Sequence, residues 1–138
     1  MVNKLAVFLF IMLLFTPHVM AQNNKNVEVL NIEHNRVIKT VASNPAIQKE
    51  GEKYLNRITD IYRKFRVIPN EGYMIKIPLE PSVAIQNQWM NDLVNEVIII
   101  VGEQEEPYLM VFDDENNPRF FTFKGDIDVL LKALNFRS

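Results

Sequence analysis

Three consecutive acids, at residues 113–115 within the stretch VFDDENNPRFFTF, have the clearest potential for chemistry. They could bind a cation or take part in acid–base catalysis. A calcium loop of the EF-hand type requires Gly at its sixth position and Glu at its twelfth. Counted from Asp113, these positions hold Pro118 and Lys124, so the motif is not met. Asp, Asn and Pro are the residues that tight turns select. The stretch therefore favours a hairpin turn, with a looser cation site as the alternative.

A second acidic cluster, made of Glu103, Glu105 and Glu106, precedes the predicted strand YLMVF, and the first cluster follows that strand. Successive loops of an antiparallel meander lie at opposite ends of the sheet, and a strand of this length separates them by ~16–20 Å. The paired carboxylates of glycosidases lie about 5–9.5 Å apart. The spacing therefore argues against a catalytic pair made from the two clusters.

The remaining residue types offer no other catalytic or cofactor site. His34 is the only histidine after position 21, so a multi-histidine metal site cannot form. The serines after that position, Ser43, Ser82 and Ser138, lack a GxSxG context. The glycines are isolated rather than grouped in a phosphate loop, and the chain has no cysteine. We therefore predict no cofactor and no metal. We favour a protein that is not an enzyme, and a hydrolase that uses carboxylates is the alternative.

Two groups of residues are candidates for binding. Trp89 lies close to Asn87 among further amide side chains, and an aromatic ring among amides can form a carbohydrate or peptide site. The alternative is a core tryptophan at the end of a polar loop. Lys49, Lys53 and Arg57 form an i, i+4, i+8 stripe on a predicted helix. This stripe could meet an anionic polymer, a membrane surface or an acidic protein, or it could be a solvated helix face.

Residues 1–21 have the pattern of a secretory signal peptide. Lys4 gives a positive start, Leu5–Phe15 is an unbroken apolar run, and small residues precede a cleavage site before Gln22. The alternative is an uncleaved anchor, but the run is shorter than the ~20 residues that a spanning helix needs. We therefore expect a secreted, extracellular protein without a membrane span after cleavage, either released or retained at the cell wall. The lack of cysteine suits export by a Gram-positive bacterium.

Charge is unevenly distributed along the chain of 138 residues, which has a net charge of −2. Residues 22–76 contain ten basic and six acidic side chains, which gives +4. Residues 77–138 contain four basic and eleven acidic side chains, which gives −7. Such asymmetry can steer a charged partner or be neutralised within one fold, and we favour the second. A mildly acidic exported chain is not expected to bind nucleic acid.

Residues 22–42 are predicted to form an N-terminal arm or a small hairpin, with a helix as the competing interpretation. Residues 43–138 are predicted to form a single α+β domain. Asn44 is a natural N-cap, and Pro45 suits the first helical position. Apolar residues then recur at three- and four-residue spacings as far as Phe65. This pattern predicts an amphipathic helix about 20 residues long.

The rest of the chain predicts an antiparallel sheet and a short C-terminal helix. The predicted strands are YMIKIPLE, EVIIIV, YLMVF and RFFTF, and GDIDVLLKALNF is the predicted helix. Pro78 and Pro81 indicate an edge or a bend, and residues 82–94 fit either a strand or a short helix. The predicted fold is α+β, with a long amphipathic helix packed on an antiparallel β-meander, as in a cystatin-like roll or a similar fold.

Residues 43–136 contain SNPAIQKEGEKYL, a long central stretch that begins GYMIKIPLEPSVAIQNQWMNDLV, and the ending LLKALNF. In these segments the chain resembles a family of short secreted proteins from spore-forming Gram-positive bacteria. The resemblance implies a localisation and a class of protein. It implies no activity and no site residues.

These observations together lead to an expectation about function. We expect a secreted or cell-surface protein that acts as a non-enzymatic binding or interaction module. Its expected partner is another exported protein or a component of the cell envelope. Two alternatives stay open: a small secreted hydrolase that uses carboxylates on wall polymers, and a secreted protease inhibitor, which only the roll-like fold prediction suggests.

Overall fold

The computed structural model describes residues 26–64 and 66–137. These residues form one seven-stranded antiparallel sheet with the strand order β2-β1-β4-β5-β6-β7-β3. The strands are β1 (Asn26–Asn31), β2 (Arg36–Ala42), β3 (Ile58–Ile61), β4 (Gly72–Gln86), β5 (Asn91–Gly102), β6 (Tyr108–Phe112) and β7 (Pro118–Phe123). Two short helices, α1 (Pro45–Asn56) and α2 (Asp128–Ala133), complete the described fold. The predicted signal peptide lies outside the described residues.

The predicted fold class is wrong, because the fold is mostly antiparallel sheet and no long amphipathic helix is present in the described residues. Helix α1 ends at Asn56. Residues 58–61, which the apolar pattern places in the same helix, form the edge strand β3. This segment is rich in β-branched residues, which favour a strand when a partner is available. Strand β7 is that partner, since Ile58 pairs with Phe123 and Ile61 with Phe121.

The beginning of α1 is where the sequence placed it. The side chain of Asn44 accepts a hydrogen bond from the N–H of Ile47 at 3.0 Å, and Pro45 occupies the first turn. Gly51 faces the sheet so closely that an added Cβ would lie 3.0 Å from the Cδ2 atom of Leu79. This close approach places α1 directly over β4 and β5.

The sheet has two apolar faces. The first, the helix-covered face, packs against α1 and α2 in a cluster that includes Ile75, Val97 and Phe121. The second, the crossing face, packs against Tyr62, Val67 and Ile68, which lie between β3 and β4. There the rings of Tyr62 and Tyr108 stack with centroids 3.7 Å apart. The predicted single helix could not give this arrangement, because Ile58 and Tyr62 pack on opposite faces of the sheet.

The hairpin of β4 and β5 contains an irregularity that shapes the molecular surface. Pro78 pairs with Glu96 and Val83 with Val94, so residues 79–82 lie opposite Asn95 alone. These residues form a bulged excursion of β4, in which Leu79 is buried against α1 and residues 80–82 are exposed. Pro78 and Pro81 lie at this excursion, and residues 82–94, for which a strand or a helix was open, form strand, turn and strand.

The ends of the described chain join the same structure. β1 and β2 form an antiparallel hairpin, and β1 also pairs with β4. Helix α2 contributes Leu130 to the core, and Leu134 follows it there. No helix in residues 26–64 and 66–137 is long and apolar enough to cross a membrane.

Candidate functional site

A cleft of about 1190 Å³ lies between the first turns of α1 and the excursion of β4. Helix α1 contributes Gln48, Lys49 and Glu52 to its lining, β4 contributes residues 78–84, and β5 contributes residues 95–96. None of the described residues that line the cleft is aromatic. Its walls offer amides, hydroxyls, carboxylates, ammonium groups and proline rings. Such walls suit a polar, chain-like ligand better than a planar aromatic ligand.

Gln48 joins the two walls of the cleft. Its side-chain nitrogen donates a hydrogen bond to the carbonyl of Pro78, and its side-chain oxygen accepts one from the N–H of Glu80 at 2.8 Å. These two backbone groups flank Leu79. In a parallel ladder, a single residue of the neighbouring strand bonds to two such flanking groups. The side-chain amide of Gln48 therefore bonds to β4 as a single residue of a parallel strand would.

This contact lies just beyond the end of a regular strand pairing. β1 pairs with β4 over residues 73–76 of β4, and the last pair joins Glu28 to Lys76. Pro78 and Glu80 follow with their backbone groups bound to Gln48. Beyond Lys76, the side chain of Gln48 thus binds the backbone of β4 from α1.

A buried charged group lies in the wall of the cleft. Lys76 lines the cleft and is only 7% exposed. Its ammonium nitrogen lies 3.7 Å from a carboxylate oxygen of Glu28. Burial raises the pKa of Glu96, the positive charge of Lys76 lowers it, and the negative charge of Glu28 raises it further. The ammonium group of Lys76 therefore forms an ion pair with Glu28, and its charge partly offsets the effect of burial on Glu96.

Of the five predicted binding residues, Lys49 alone lines the cleft. Lys53 instead forms an ion pair with Glu50 at 2.9 Å. The carbonyl of Arg57, at the end of α1, accepts a hydrogen bond from the N–H of Lys124 at 2.9 Å. The predicted basic stripe is consequently divided between a cleft wall, an ion pair and a helix end.

Trp89 and Asn87 lie in the turn between β4 and β5. The side-chain oxygen of Asn87 accepts hydrogen bonds from the N–H groups of Trp89 and Met90, each at 2.9 Å. The half-buried ring of Trp89 packs against the helix-covered core, with its centroid 6.0 Å from that of Phe121. In this arrangement Asn87 organises the turn and Trp89 closes the end of the core.

The acidic stretch at residues 113–115 forms the turn between β6 and β7. One oxygen of Asp113 accepts hydrogen bonds from the N–H groups of Glu115 and Asn117 at 2.9 and 2.8 Å. The other lies 3.1 Å from the Nε of Arg119. These contacts, first of all the one from Asn117, hold the pKa of Asp113 below its usual value. Asp113 is therefore the residue that organises this turn.

Two pairs of carboxyl groups meet elsewhere on the surface. A hydrogen bond to Glu71 raises the pKa of Glu103, and one to Asp92 raises the pKa of Asp114. The loops that carry Glu103 and Asp114 lie at opposite ends of β6. Within residues 26–64 and 66–137, no group of three or more His, Cys, Asp or Glu is arranged to hold a metal ion.

Sequence reasoning missed Gln48, Lys76 and Glu96. Lys76 carried a signal, because it interrupts the apolar strand YMIKIPLE at a position flanked by buried isoleucines. A lysine is almost never fully buried unless it is paired. Gln48 carried no signal, since a glutamine on an amphipathic helix is ordinary.

Comparison of the chain with protein-family models, with curated proteins and with solved structures gave no match. The resemblance to short secreted proteins of spore-forming bacteria stays a prediction.

Proposed function

We propose that the protein is an exported, non-enzymatic binding module and that the cleft between α1 and β4 is its binding surface. The observation that carries this proposal is the cleft itself. Its volume exceeds the ~300–1,000 Å³ of common small-molecule pockets. It is also built from two walls that the Gln48 bridge holds together. A partner in the envelope or in the medium is expected, following the predicted signal peptide.

The placement of the acidic residues supports a binding role over a catalytic one. Asp113 is engaged by its own turn. The loop at residues 103–107 lies at the other end of β6 from that turn. The protease-inhibitor hypothesis loses its support, because it rested only on the predicted cystatin-like roll and that fold prediction is wrong.

One observation favours a second candidate, the carboxylate-dependent hydrolase. Glu96 lines the cleft, and burial raises its pKa. A carboxyl group with a raised pKa in a cleft is a candidate general acid. Under this candidate, the purified protein cleaves a wall glycan or peptide, and Glu96→Gln abolishes the cleavage. A screen of wall substrates without any turnover would contradict it.

The binding proposal is tested by blocking the cleft. Ala84 is exposed and lines the cleft, so Ala84→Trp places a large ring inside it. Thr40 is an exposed residue of β2 outside the cleft lining, so Thr40→Trp is the matched control. Each tagged protein is incubated with culture medium and with wall extract, washed at low and at high salt, and its bound material is identified by mass spectrometry.

The expected result is a stoichiometric component that the wild-type protein and Thr40→Trp retain at high salt and that Ala84→Trp loses. A component that all three proteins retain equally would show that the cleft is not the binding surface. A protein that retains nothing under either wash would overturn the binding proposal. Circular dichroism of the two variants checks that both are folded.

A further inference from the structure

We propose that a partner that fills the cleft is bound together with one proton on Glu96, so that it is held more tightly in mild acid than at neutral pH. This inference rests on the proposed function, because it names the regulation of the same cleft. It begins from the position of one carboxylate. Glu96 lines the cleft, is half-buried, and directly precedes Val97, which is fully buried in the core.

Glu96 shares one face of the sheet with a buried ion pair. Glu28 on β1 lies opposite Lys76 on β4, and Glu96 on β5 lies opposite Pro78, two positions further along β4. Because successive side chains of a strand alternate between faces, these residues all lie on the same face. The ammonium nitrogen of Lys76 lies 3.7 Å from a carboxylate oxygen of Glu28. Lys76 therefore has an anionic partner on β1 and a second carboxylate nearby on β5.

The carboxylate of Glu96 forms no hydrogen bond or ion pair with another residue of the described chain. Burial raises the pKa of Glu96, the positive charge of Lys76 lowers it, and the negative charge of Glu28 raises it further. Its ionised form therefore depends on the solvent that enters the cleft.

A partner that fills the cleft removes this solvent from Glu96. An ionised carboxylate that loses its water without gaining another partner is strongly disfavoured. Either a cationic group of the partner or a proton can compensate for the loss. A cationic group would lie near the ammonium of Lys76, and like charges in one site oppose each other. A proton on Glu96 avoids this repulsion and leaves the pair of Lys76 and Glu28 intact.

The other charged groups of the cleft lining are in a different situation. Lys49 and Glu52 on α1 and Glu80 on the excursion all line the cleft, and all three residues are exposed. Each of them can keep solvent on its outer side when the cleft is filled. Glu96 is thus the carboxyl group of the lining for which burial already favours the neutral form. Once neutral, it offers an O–H donor to a carbonyl group of the partner.

The sign of the pH dependence follows from this linkage. Binding further raises the pKa of Glu96, so the affinity is highest below the pKa of the free protein. It falls as the pH rises from that value to the pKa of the bound state, and it is constant above. Each unit by which binding raises the pKa changes the affinity about tenfold. A ligand that instead recognised the ionised carboxylate would bind more tightly as the pH rises.

The experiment repeats the capture from culture medium and wall extract at about pH 5 and about pH 7.5, at equal ionic strength. The component that Ala84→Trp fails to retain is purified and titrated against the wild-type protein, Glu96→Gln and Glu52→Gln. The wild-type protein and Glu52→Gln are expected to bind it about tenfold more tightly at the lower pH. Glu96→Gln carries a neutral amide of similar shape. It is expected to bind at both pH values as tightly as the wild-type protein does in acid.

The gain in affinity of Glu96→Gln at neutral pH cannot arise from misfolding, and titration of the component itself would affect all three proteins alike. Equal or tighter binding by the wild-type protein at neutral pH would overturn the inference, as would a pH dependence that Glu96→Gln retains in full. In either case, a component that Ala84→Trp loses would leave the proposed function standing. If no component is captured at either pH, both proposals are wrong.

Discussion

The side chain of Gln48 on α1 accepts a hydrogen bond of 2.8 Å from the backbone N–H of Glu80 on β4, 32 positions away in the chain. The same side chain donates to the carbonyl of Pro78. This contact fixes the start of α1 to the excursion of β4, and the space between these two elements is the cleft. The stability of the fold and the shape of its candidate site are therefore linked through one amide.

Loss of this amide is expected to destabilise the fold modestly. Gln48→Ala removes three hydrogen bonds, to Pro78, to Glu80 and to the hydroxyl of Ser43. Each has a net value of about 0.5–1.5 kcal/mol, so we expect the free energy of unfolding to fall by about 1.5–4 kcal/mol. Urea denaturation followed by circular dichroism measures this difference. The matched variant Gln88→Ala should change the value by less than about 0.5 kcal/mol. Equal effects of the two substitutions would show that the Gln48 bridge contributes nothing to stability.

The hydroxyl of Tyr54 leads to a prediction of the opposite sign. Tyr54 is 1% exposed, and its hydroxyl has no hydrogen-bond partner among the described residues. Burial and the negative charge of Glu50 both raise its pKa. Removing a buried hydroxyl without a partner relieves a desolvation cost, so Tyr54→Phe should stabilise the fold by about 1 kcal/mol.

Thermal and urea unfolding of Tyr54→Phe provide the measurement for this prediction. The control is Tyr73→Phe, since Tyr73 is a half-buried tyrosine whose ring meets Phe136 at 5.0 Å. A fall in stability for Tyr54→Phe would mean that the hydroxyl is hydrogen-bonded in solution, and it would contradict the prediction.

The turn at Asp113 should make stability depend on pH in the acid range. The hydrogen bonds from Asn117 and Arg119 lower the pKa of Asp113 below the value of 3.8 that is usual for this group. The carboxylate therefore stabilises the fold above that value, and this contribution is lost as the pH falls through the lower pKa of the folded state. Asp113→Asn keeps an acceptor for the turn but cannot be protonated. Its melting temperature should therefore fall less steeply than that of the wild-type protein between about pH 5 and pH 2, the range in which such a carboxylate titrates.

Glu115→Gln is the control for this prediction, because Glu115 lies in the same turn with an exposed side chain. It should preserve the acid dependence of the wild-type protein. If Asp113→Asn and the wild-type protein lose stability in parallel, the lowered pKa of Asp113 has no part in the acid response.

Glu96 should respond to pH in the opposite direction. Burial raises its pKa, with an opposing effect of Lys76 and a further rise from Glu28. The folded state therefore favours the protonated carboxyl. The stability that this preference gives is present below the ordinary pKa of 4.5 and is lost as the pH rises through the raised pKa of the folded state. Glu96→Gln should stabilise the protein at neutral pH and have little effect in acid.

Melting temperatures of Glu96→Gln and of the wild-type protein across this range measure the difference. Glu52→Gln, an exposed carboxylate that also lines the cleft, is the control and should be near neutral at every pH. A loss of stability for Glu96→Gln at neutral pH would show that Lys76 requires both of its carboxylate neighbours.

The sequence predicted those features that depend on neighbouring residues. The N-cap at Asn44, the strands YLMVF and RFFTF and the acidic turn between them all rest on local propensity and turn chemistry. The end of α1 was missed, because Ile58 and Ile61 become a strand only through pairing with Phe123 and Phe121, more than fifty residues later. A periodic apolar pattern cannot distinguish a long helix from a short helix followed by such a strand.

The cleft was missed for the same reason. Lys49 was proposed as part of a helical stripe, but its surroundings depend on the excursion of β4. The bridge from Gln48 to Glu80 and the pairing of Lys76 with Glu28 are contacts between distant segments. The position of Lys76 in an apolar strand indicates that it is paired, but no residue pattern within either segment indicates its partner or the Gln48 bridge.

The most direct test of the cleft as the binding surface is amide hydrogen exchange of the protein with and without the component that it retains from medium or wall extract. Binding in the cleft is expected to slow exchange in the first turns of α1 and at residues 79–84 of β4, and to leave exchange in the turn at Asn87 and Trp89 unchanged. Protection at that turn, with exchange in the cleft unaltered, would contradict it.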